Sequence, residues 1–360
     1  QDRYVRELIP ALRSNPQVFA YELENEMVEC PASWASHAIE TIRGIDKLTP
    51  VCVSHGGGGL STADPLWWHR NTPIDFYNYH LYPHGGTTLE DLDFGAAVDV
   101  LSRYGRMCGP SMLGESSGDQ FSRHPSVETR RWVMRDIIWM ALTNGNPGIF
   151  FWNARGPEVR EFKPARDAMA QLDLASFERA RPAIGIDVRH ALDDDKSFRT
   201  VGGKRAYAMM GRYARHYLSE GADFDFTVEP SRYEKTATLA EFAPVEPPRR
   251  WFRFGKGWQL SYLARKDWSE VLVYVRNYAG TKPWACDMNR SVWVQYLRER
   301  RPAPLHLKLD LPEGSYRAEV LDLDQQRSVT RPVEAGGSID LGTTDHDFAL
   351  VLKRGPVSGR

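Results

Sequence analysis

Val18-Phe-Ala-Tyr-Glu-Leu-Glu-Asn-Glu26 decides how this chain folds. An apolar run over 18–23 follows Asn15-Pro16, a turn-initiating dipeptide, and ends among carboxylates. Upstream, Val5, Leu8, Ile9 and Leu12 fall at helical spacing, and the segment 33–43 also reads as helix. A strand between helices is therefore the unit, and it recurs. Further strands are expected over 50–54, 74–79, 111–114 and 148–152, with helices over 94–104 and 127–142. Five strands, each followed by a loop and usually a helix, indicate repeated β/α units around a parallel sheet.

Beyond Arg181-Pro182 the pattern changes. A strand over 183–188, a helical face of Tyr207, Met210, Gly211, Ala214 and Leu218, and a strand over 224–228 read as a small α/β connector. From position 244 the helices stop. Strands expected over 258–264, 271–277, 305–311, 316–321 and 348–352, between Gly, Pro and Asp turns, suggest a β-sandwich. The expected domains are 1–181, 182–243 and 244–355.

Composition narrows the function. The chain has 360 residues, enough for two or three domains at roughly 150 residues each. Lys+Arg 46 against Asp+Glu 47 leaves a net charge of −1, so bulk charge points to no nucleic-acid or membrane-surface partner. No apolar run reaches the roughly 18 residues that a membrane-crossing helix needs. Cys30, Cys52, Cys108 and Cys286 are too few and too scattered for a disulfide scaffold or a CxxC zinc site. Gln1 to Pro10 contain no signal-peptide pattern. The run Asp193-Asp194-Asp195 lacks the alternating ligand spacing of a calcium loop and reads as a solvated one.

The chemistry concentrates at strand ends. Period-two alternation puts Glu22, Glu24 and Glu26 on one strand face, which is costly unless cations or a solvated cleft meet them. In Met112-Leu-Gly-Glu115 a second carboxylate directly follows an apolar run. In a β/α barrel the C-terminal strand ends form the active-site face. Glu26 and Glu115, on the first and fourth of the five expected strands, are the pair that glycoside hydrolysis needs. One protonates the leaving oxygen, and the other attacks or activates water. Tyr79-His80-Leu81-Tyr82 closes another strand, where a Tyr or His can hold a carboxylate ionised and oriented. Taken alone, His80 reads as a satisfied core or loop histidine. A zinc set of His80 and His84 with His55 or His69 would lie on a Pro-broken loop, and is disfavoured. Trp152 ends the last strand, where an indole face can stack on a sugar ring, although a strand-end Trp taken alone reads as core. Trp67 and Trp68, expected in the loop before residue 74, read either as a further candidate subsite or as simple packing.

On these residues the chain resembles the clan A retaining β-glycosidases. Asn15-Pro-Gln-Val-Phe-Ala-Tyr-Glu-Leu-Glu-Asn-Glu26 is similar to the clan's fourth barrel strand, which carries Asn-Glu with the Glu as acid/base. Asp75-Phe-Tyr-Asn-Tyr-His-Leu-Tyr82 resembles the sixth strand with its His-x-Tyr, and Met112-Leu-Gly-Glu115 the seventh with the nucleophile. Trp139-Met-Ala-Leu-Thr-Asn-Gly, followed by Phe151-Trp152, resembles the seventh helix and eighth strand. The resemblance covers residues 1–180. Family 5 glycoside hydrolases are the nearest general likeness, and the connector is similar to the α/β domain of family 42.

The resemblance implies a partial (β/α)8 TIM barrel, its last five strands, followed by the connector and the sandwich. It implies a retaining hydrolase acting on an oligo- or polysaccharide, with Glu26 as general acid/base and Glu115 as nucleophile. Asn25, His80, Tyr82, Trp152 and His55 become substrate-binding residues, and no cofactor or metal is called for. The carbohydrate substrate is the expected partner, with no nucleic acid and no membrane. The clan's first three β/α units, about 90 residues at roughly 250 for all eight, have no counterpart, nor has its second-strand arginine. The chain is therefore expected to be the C-terminal part of a longer one that supplies the N-terminal barrel units. The compartment is not legible; secretion or a periplasmic location is the expectation.

A different chemistry matches locally. Gly114-Glu-Ser116-Ser-Gly118 fits the nucleophile elbow of serine esterases, and His55-Gly-Gly-Gly58 fits their oxyanion loop. Ser116 would then be the nucleophile, with backbone N–H groups at Gly57 and Ser117 holding the oxyanion. Against this, 119–125 reads as loop where an elbow needs a helix, and no downstream acid and His are persuasively spaced. A third reading is a non-catalytic carbohydrate-binding remnant.

Overall fold

The computed structural model describes residues 2–25, 31–54, 65–81, 93–117, 126–146, 148–152, 156–189, 201–288 and 291–355. Helix α1 (Asp2–Leu12) leads to β1 (Tyr21–Glu22), α2 (Ala32–Arg43), β2 (Val51–Ser54), α3 (Pro65–Asn71) and β3 (Phe76–Leu81). Then come α4 (Phe94–Cys108), β4 (Ser111–Ser117), α5 (Val127–Thr143) and β5 (Ile149–Trp152). Strands β1 to β5 lie in chain order as one parallel sheet, curled into a half-barrel. Among the described residues the five strands do not close, and β1 and β5 are the outer strands of this sheet.

Alternation sets the two faces of this sheet. Val51, Val53, Tyr77, Tyr79, Leu81 and Leu113 share one buried core with Ile39 of α2, Val98 of α4 and Ile137 of α5. They form the helix-covered face. Pairing register puts Glu22, Cys52, Ser54, Asn78, His80, Met112 and Glu115 on the opposite, concave face.

Three local expectations change. Strand β1 keeps only Tyr21 and Glu22 of the apolar run, because an edge strand pairs on one side and β2 is only four residues long. Phe19, in the unpaired part, is 58% exposed. Strand β4 runs through to Ser117, beyond the expected 111–114. The loop expected around Trp67 and Trp68 is α3, entered through Pro65 at a position where proline's missing N–H costs nothing. Trp68 is 4% exposed and belongs to the core, so it offers no stacking face.

A 3-10 turn (Gly156–Glu161) and α6 (Phe162–Met169) follow β5. Next, β6 (Ile184–Asp187), α7 (Val201–Glu220), β7 (Phe224–Thr227) and β8 (Lys235–Thr238) build a parallel sheet of order β7-β6-β8. The remainder is antiparallel: β9 (Phe252–Arg253), β10 (Trp258–Ala264), β11 (Glu270–Asn277), β12 (Gly280–Met288), β13 (Ser291–Glu299), β14 (Ala303–Leu309), β15 (Ser315–Asp322), β16 (Arg327–Glu334), β17 (Ser338–Thr344) and β18 (Phe348–Arg354). They form sheets β10-β11-β18-β15-β16 and β17-β14-β9, plus the hairpin β12-β13. Leu260, Val273 and Leu350 of the larger sheet share a core with Leu307 and Ile339 of the smaller.

The other face of the larger sheet closes on the half-barrel. Leu272, Tyr274, Ala349 and Val351 join the core that holds α4 and α5. Buried charges run through this junction. Arg276 grips Asp93 with both terminal nitrogens, at 2.7 and 2.9 Å, and reaches Asp136 at 3.3 Å. Arg135 binds Glu161 at 2.9 Å, Asp324 at 2.8 Å and Asp347 at 3.1 Å. Burial opposes a charge on Asp347, yet Arg298, Arg300 and Arg135 together hold its carboxyl well below the ordinary range. Asp93 is also the N-cap of α4, accepting from Ala96 N at 2.9 Å.

Candidate active site

The site is organised by one irregularity. Along β3 and β4, Asn78 pairs with Met112 and Tyr79 with Leu113, and then the register shifts so that His80 pairs with Glu115. The ladder to β5 slips at the same place, from Leu113↔Ile149 to Ser116↔Phe151. Gly114 is the extra residue of a bulge in β4. Without it, alternation would turn residue 114 to the concave face and Glu115 to the helices. With it, Glu115 and His80 point the same way. A Cβ at position 114 would overlap the Asn78 carboxamide, so the bulge needs glycine.

Nδ1 of His80 lies 3.3 Å from Oε2 of Glu115. The imidazole is 2% exposed and the carboxylate 19% exposed, so solvent reaches the acid with the histidine lodged behind it. Two residues before His80, Asn78 donates through Nδ2 to Oε1 of Glu22 at 3.2 Å. Glu22 is thereby tied across β2 to β3. Cys52 neighbours Glu22 in the ladder. Burial pushes its thiol up, and the Glu22 and Asp75 carboxylates add to the shift, so it stays protonated and is no nucleophile.

Beyond β1 the chain still follows β2. Leu23 N donates to Cys52 O at 3.2 Å, and Ser54 Oγ donates to Glu24 O at 3.3 Å. This leads the chain to Asn25, which is exposed. Glu26, Tyr82, His84 and His55 lie outside the described residues, as does the side chain of Trp152. The backbone of Trp152 pairs with Ser117 at the end of β4. The structure thus brings together His80 and Glu115 of the expected set, with Asn25 three strands from Glu115. At about 4.8 Å per strand spacing, only the curl of the sheet turns β1 and β4 tips toward one another.

Asn78, Glu22 and Gly114 contribute to the site, although sequence reasoning did not assign them to it. Asn78 was discoverable, since it stands two residues before His80 and must share its face. The bulge at Gly114 had no such signal, because it exists only in the pairing of β4 with its neighbours.

The esterase elbow is not formed. Ser116 lies inside β4, paired with Leu81 and Phe151 on the helix-covered face, and it is fully buried. Its Oγ has no hydrogen-bond partner among the described residues. An elbow serine must instead stand exposed on a sharp strand-to-helix turn. His55 to Gly58 of the would-be oxyanion loop lie outside the described residues.

No protein-family model matches the chain, and no curated protein matches it. Solved structures do. Alpha-L-fucosidase isoenzyme 2 from Paenibacillus thiaminolyticus aligns over 99% of this chain and 80% of its own, with a TM-score of 0.57 at 8% identity. A glycoside hydrolase family 5 structure from Bacteroides vulgatus aligns over 98% of this chain, with a TM-score of 0.46 at 13% identity. The beta-galactosidase from Bacillus circulans sp. alkalophilus aligns over 90%, with a TM-score of 0.45 at 11% identity. The chain spans 65% and 66% of the length of these last two. The half-barrel with its attached antiparallel sheets is thus similar in fold to the fucosidase structure.

Proposed function

We propose that the chain carries both catalytic carboxylates of a retaining β-glycosidase related to clan A, with β1 to β5 as the fourth to eighth strands of its barrel. In this reading 1–181 is barrel, 182–243 a connector and 244–355 an accessory sandwich, and the substrate is an oligo- or polysaccharide. The supporting observation is the His80–Glu115 pair at the C-terminal ends of adjacent parallel strands.

Glu115 attacks the anomeric carbon as the bond to the leaving oxygen breaks, and Glu26 gives that oxygen its proton. Glu26 then takes a proton from water, the water oxygen attacks the same carbon, and the ester bond to Glu115 breaks. His80, donating from Nδ1, holds Glu115 ionised and aimed. Asn25 binds the sugar 2-hydroxyl, Tyr82 assists Glu115, Trp152 floors the sugar site and His55 lines it. Retention requires the two carboxyl groups about 5–5.5 Å apart.

The test is turnover of aryl β-glycosides by paired variants. Glu115→Gln should lower kcat by at least about 10³-fold, while Ser116→Ala leaves most of it. The reverse ranking, or labelling of Ser116 by a serine-directed phosphonate, overturns the reading.

A further inference from the structure

A cavity of about 400 Å³ opens where the first turn of α5 meets the β12-β13 hairpin. Such a volume lies within the roughly 300–1,000 Å³ of small-molecule sites. Trp132 from the helix and Trp284 from the hairpin supply its aromatic walls, and both are half-buried. The Trp132 ring is fixed by two guanidinium groups, Arg298 at 4.8 Å and Arg300 at 5.4 Å from its centroid.

Charge around the aromatic walls is of mixed sign. Lys282 and Arg300 stand against Glu128, Glu299 and Asp345, and Arg298 beneath them is engaged by Asp136 and Asp347. The rim is also held in place: Glu299 receives Lys282 Nζ at 3.1 Å and Arg301 Nη2 at 2.6 Å, while Arg300 Nη2 binds Asp324 at 2.8 Å. Indole faces suit the C–H surface of a pyranose, and a fixed rim of alternating donors and acceptors suits its hydroxyls. A rim of mixed sign with this share of carboxylates gives no grip to an anionic polymer. Because a crossover helix runs antiparallel to the strands it joins, the first turn of α5 lies at the strand-end face that carries Glu115.

We propose that this cavity is a second carbohydrate site, taking a neutral glycan chain and holding it beside the hydrolytic centre. Its role, though not its binding chemistry, rests on the glycosidase reading.

The experiment is affinity electrophoresis of the full chain, carrying Glu115→Gln, through gels containing soluble β-1,4-linked glucan, xylan, galactan or mannan, with polygalacturonate as the anionic comparison. Hydrolysis of aryl glycosides is measured in parallel on the chain with Glu115 intact. At least one neutral polymer should retard the chain, and Trp284→Ala should weaken that binding roughly tenfold. Trp284→Phe should retain most of it, and aryl-glycoside turnover should be unchanged. Glu128→Ala, on an exposed turn, is the second probe and should weaken binding severalfold without disturbing packing. Three results overturn the proposal: no retardation by any neutral polymer, preference for polygalacturonate, or affinity unchanged in both Trp284→Ala and Glu128→Ala. If glycosides are hydrolysed in those cases, the glycosidase reading stands without the second site. Trp284-dependent retardation without any turnover supports the site and overturns the glycosidase reading instead.

Discussion

Gly114 and Asn78 are in such close approach that a methyl group on one would occupy the carboxamide of the other. The contact locks the β4 bulge against β3 and fixes which way Glu115 points. Gly114→Ala should therefore damage activity and stability together. Relief requires a backbone shift or loss of the bulge, at a cost of about 1–3 kcal/mol. Thermal melts and aryl-glycoside turnover check this, with loss of turnover the larger effect.

His80→Ala should lower kcat by about 10²-fold, the scale set by small misplacement of a reacting group. Its distinguishing mark is a split between kcat and KM. Without the Nδ1 donor the Glu115 carboxylate loses its aim, so kcat falls while KM changes little. A variant merely loosened by the lost ring would lose substrate affinity as well.

Asp46 anchors the lower end of β1. It accepts from Leu48 N at 2.9 Å, Thr49 Oγ1 at 2.7 Å and Tyr21 Oη at 3.0 Å, and these bonds hold its carboxyl down at about 2. A depressed carboxyl stabilises the fold above its unfolded value near 4 and ceases to do so as pH falls through about 2. Asp46→Ala should accordingly lower Tm by a few degrees at neutral pH, and the gap to the parent chain should close between those two values. Melts across the acid range measure it.

Arg276→Met should be severely destabilising, by about 3–5 kcal/mol, because Asp93 would be left buried without its cation and Asp136 with Arg298 alone. Urea titration of both chains gives the difference. Asp93→Asn combined with Arg276→Met should recover part of the loss.

The β/α alternation of the first half was legible because its signals are local. Val51 to Ser54 and the long helix around Trp139 carry apolar runs or spacing that need no partner to be recognised. Strand β8, Lys235-Thr-Ala-Thr238, carries no such run and becomes a strand only because β6 lies beside it. The bulge at Gly114 is hidden for the same reason: register belongs to two chains of residues and not to one. Glu115 and His80 could be nominated from their strand-end positions, but the device that turns them to a common face could not. Buried pairs such as Arg276 with Asp93, 183 residues apart, likewise read as ordinary surface charges until the sheets meet.

The double duty of Asp93, capping a helix of the half-barrel while clasped by Arg276 of the antiparallel sheet, has a consequence for how the chain comes apart. Neither half can loosen without stranding ions in the interior of the other. Melting should be a single cooperative event spanning both, and a chain cut at the expected boundary near 244 should yield two insoluble pieces rather than two working modules.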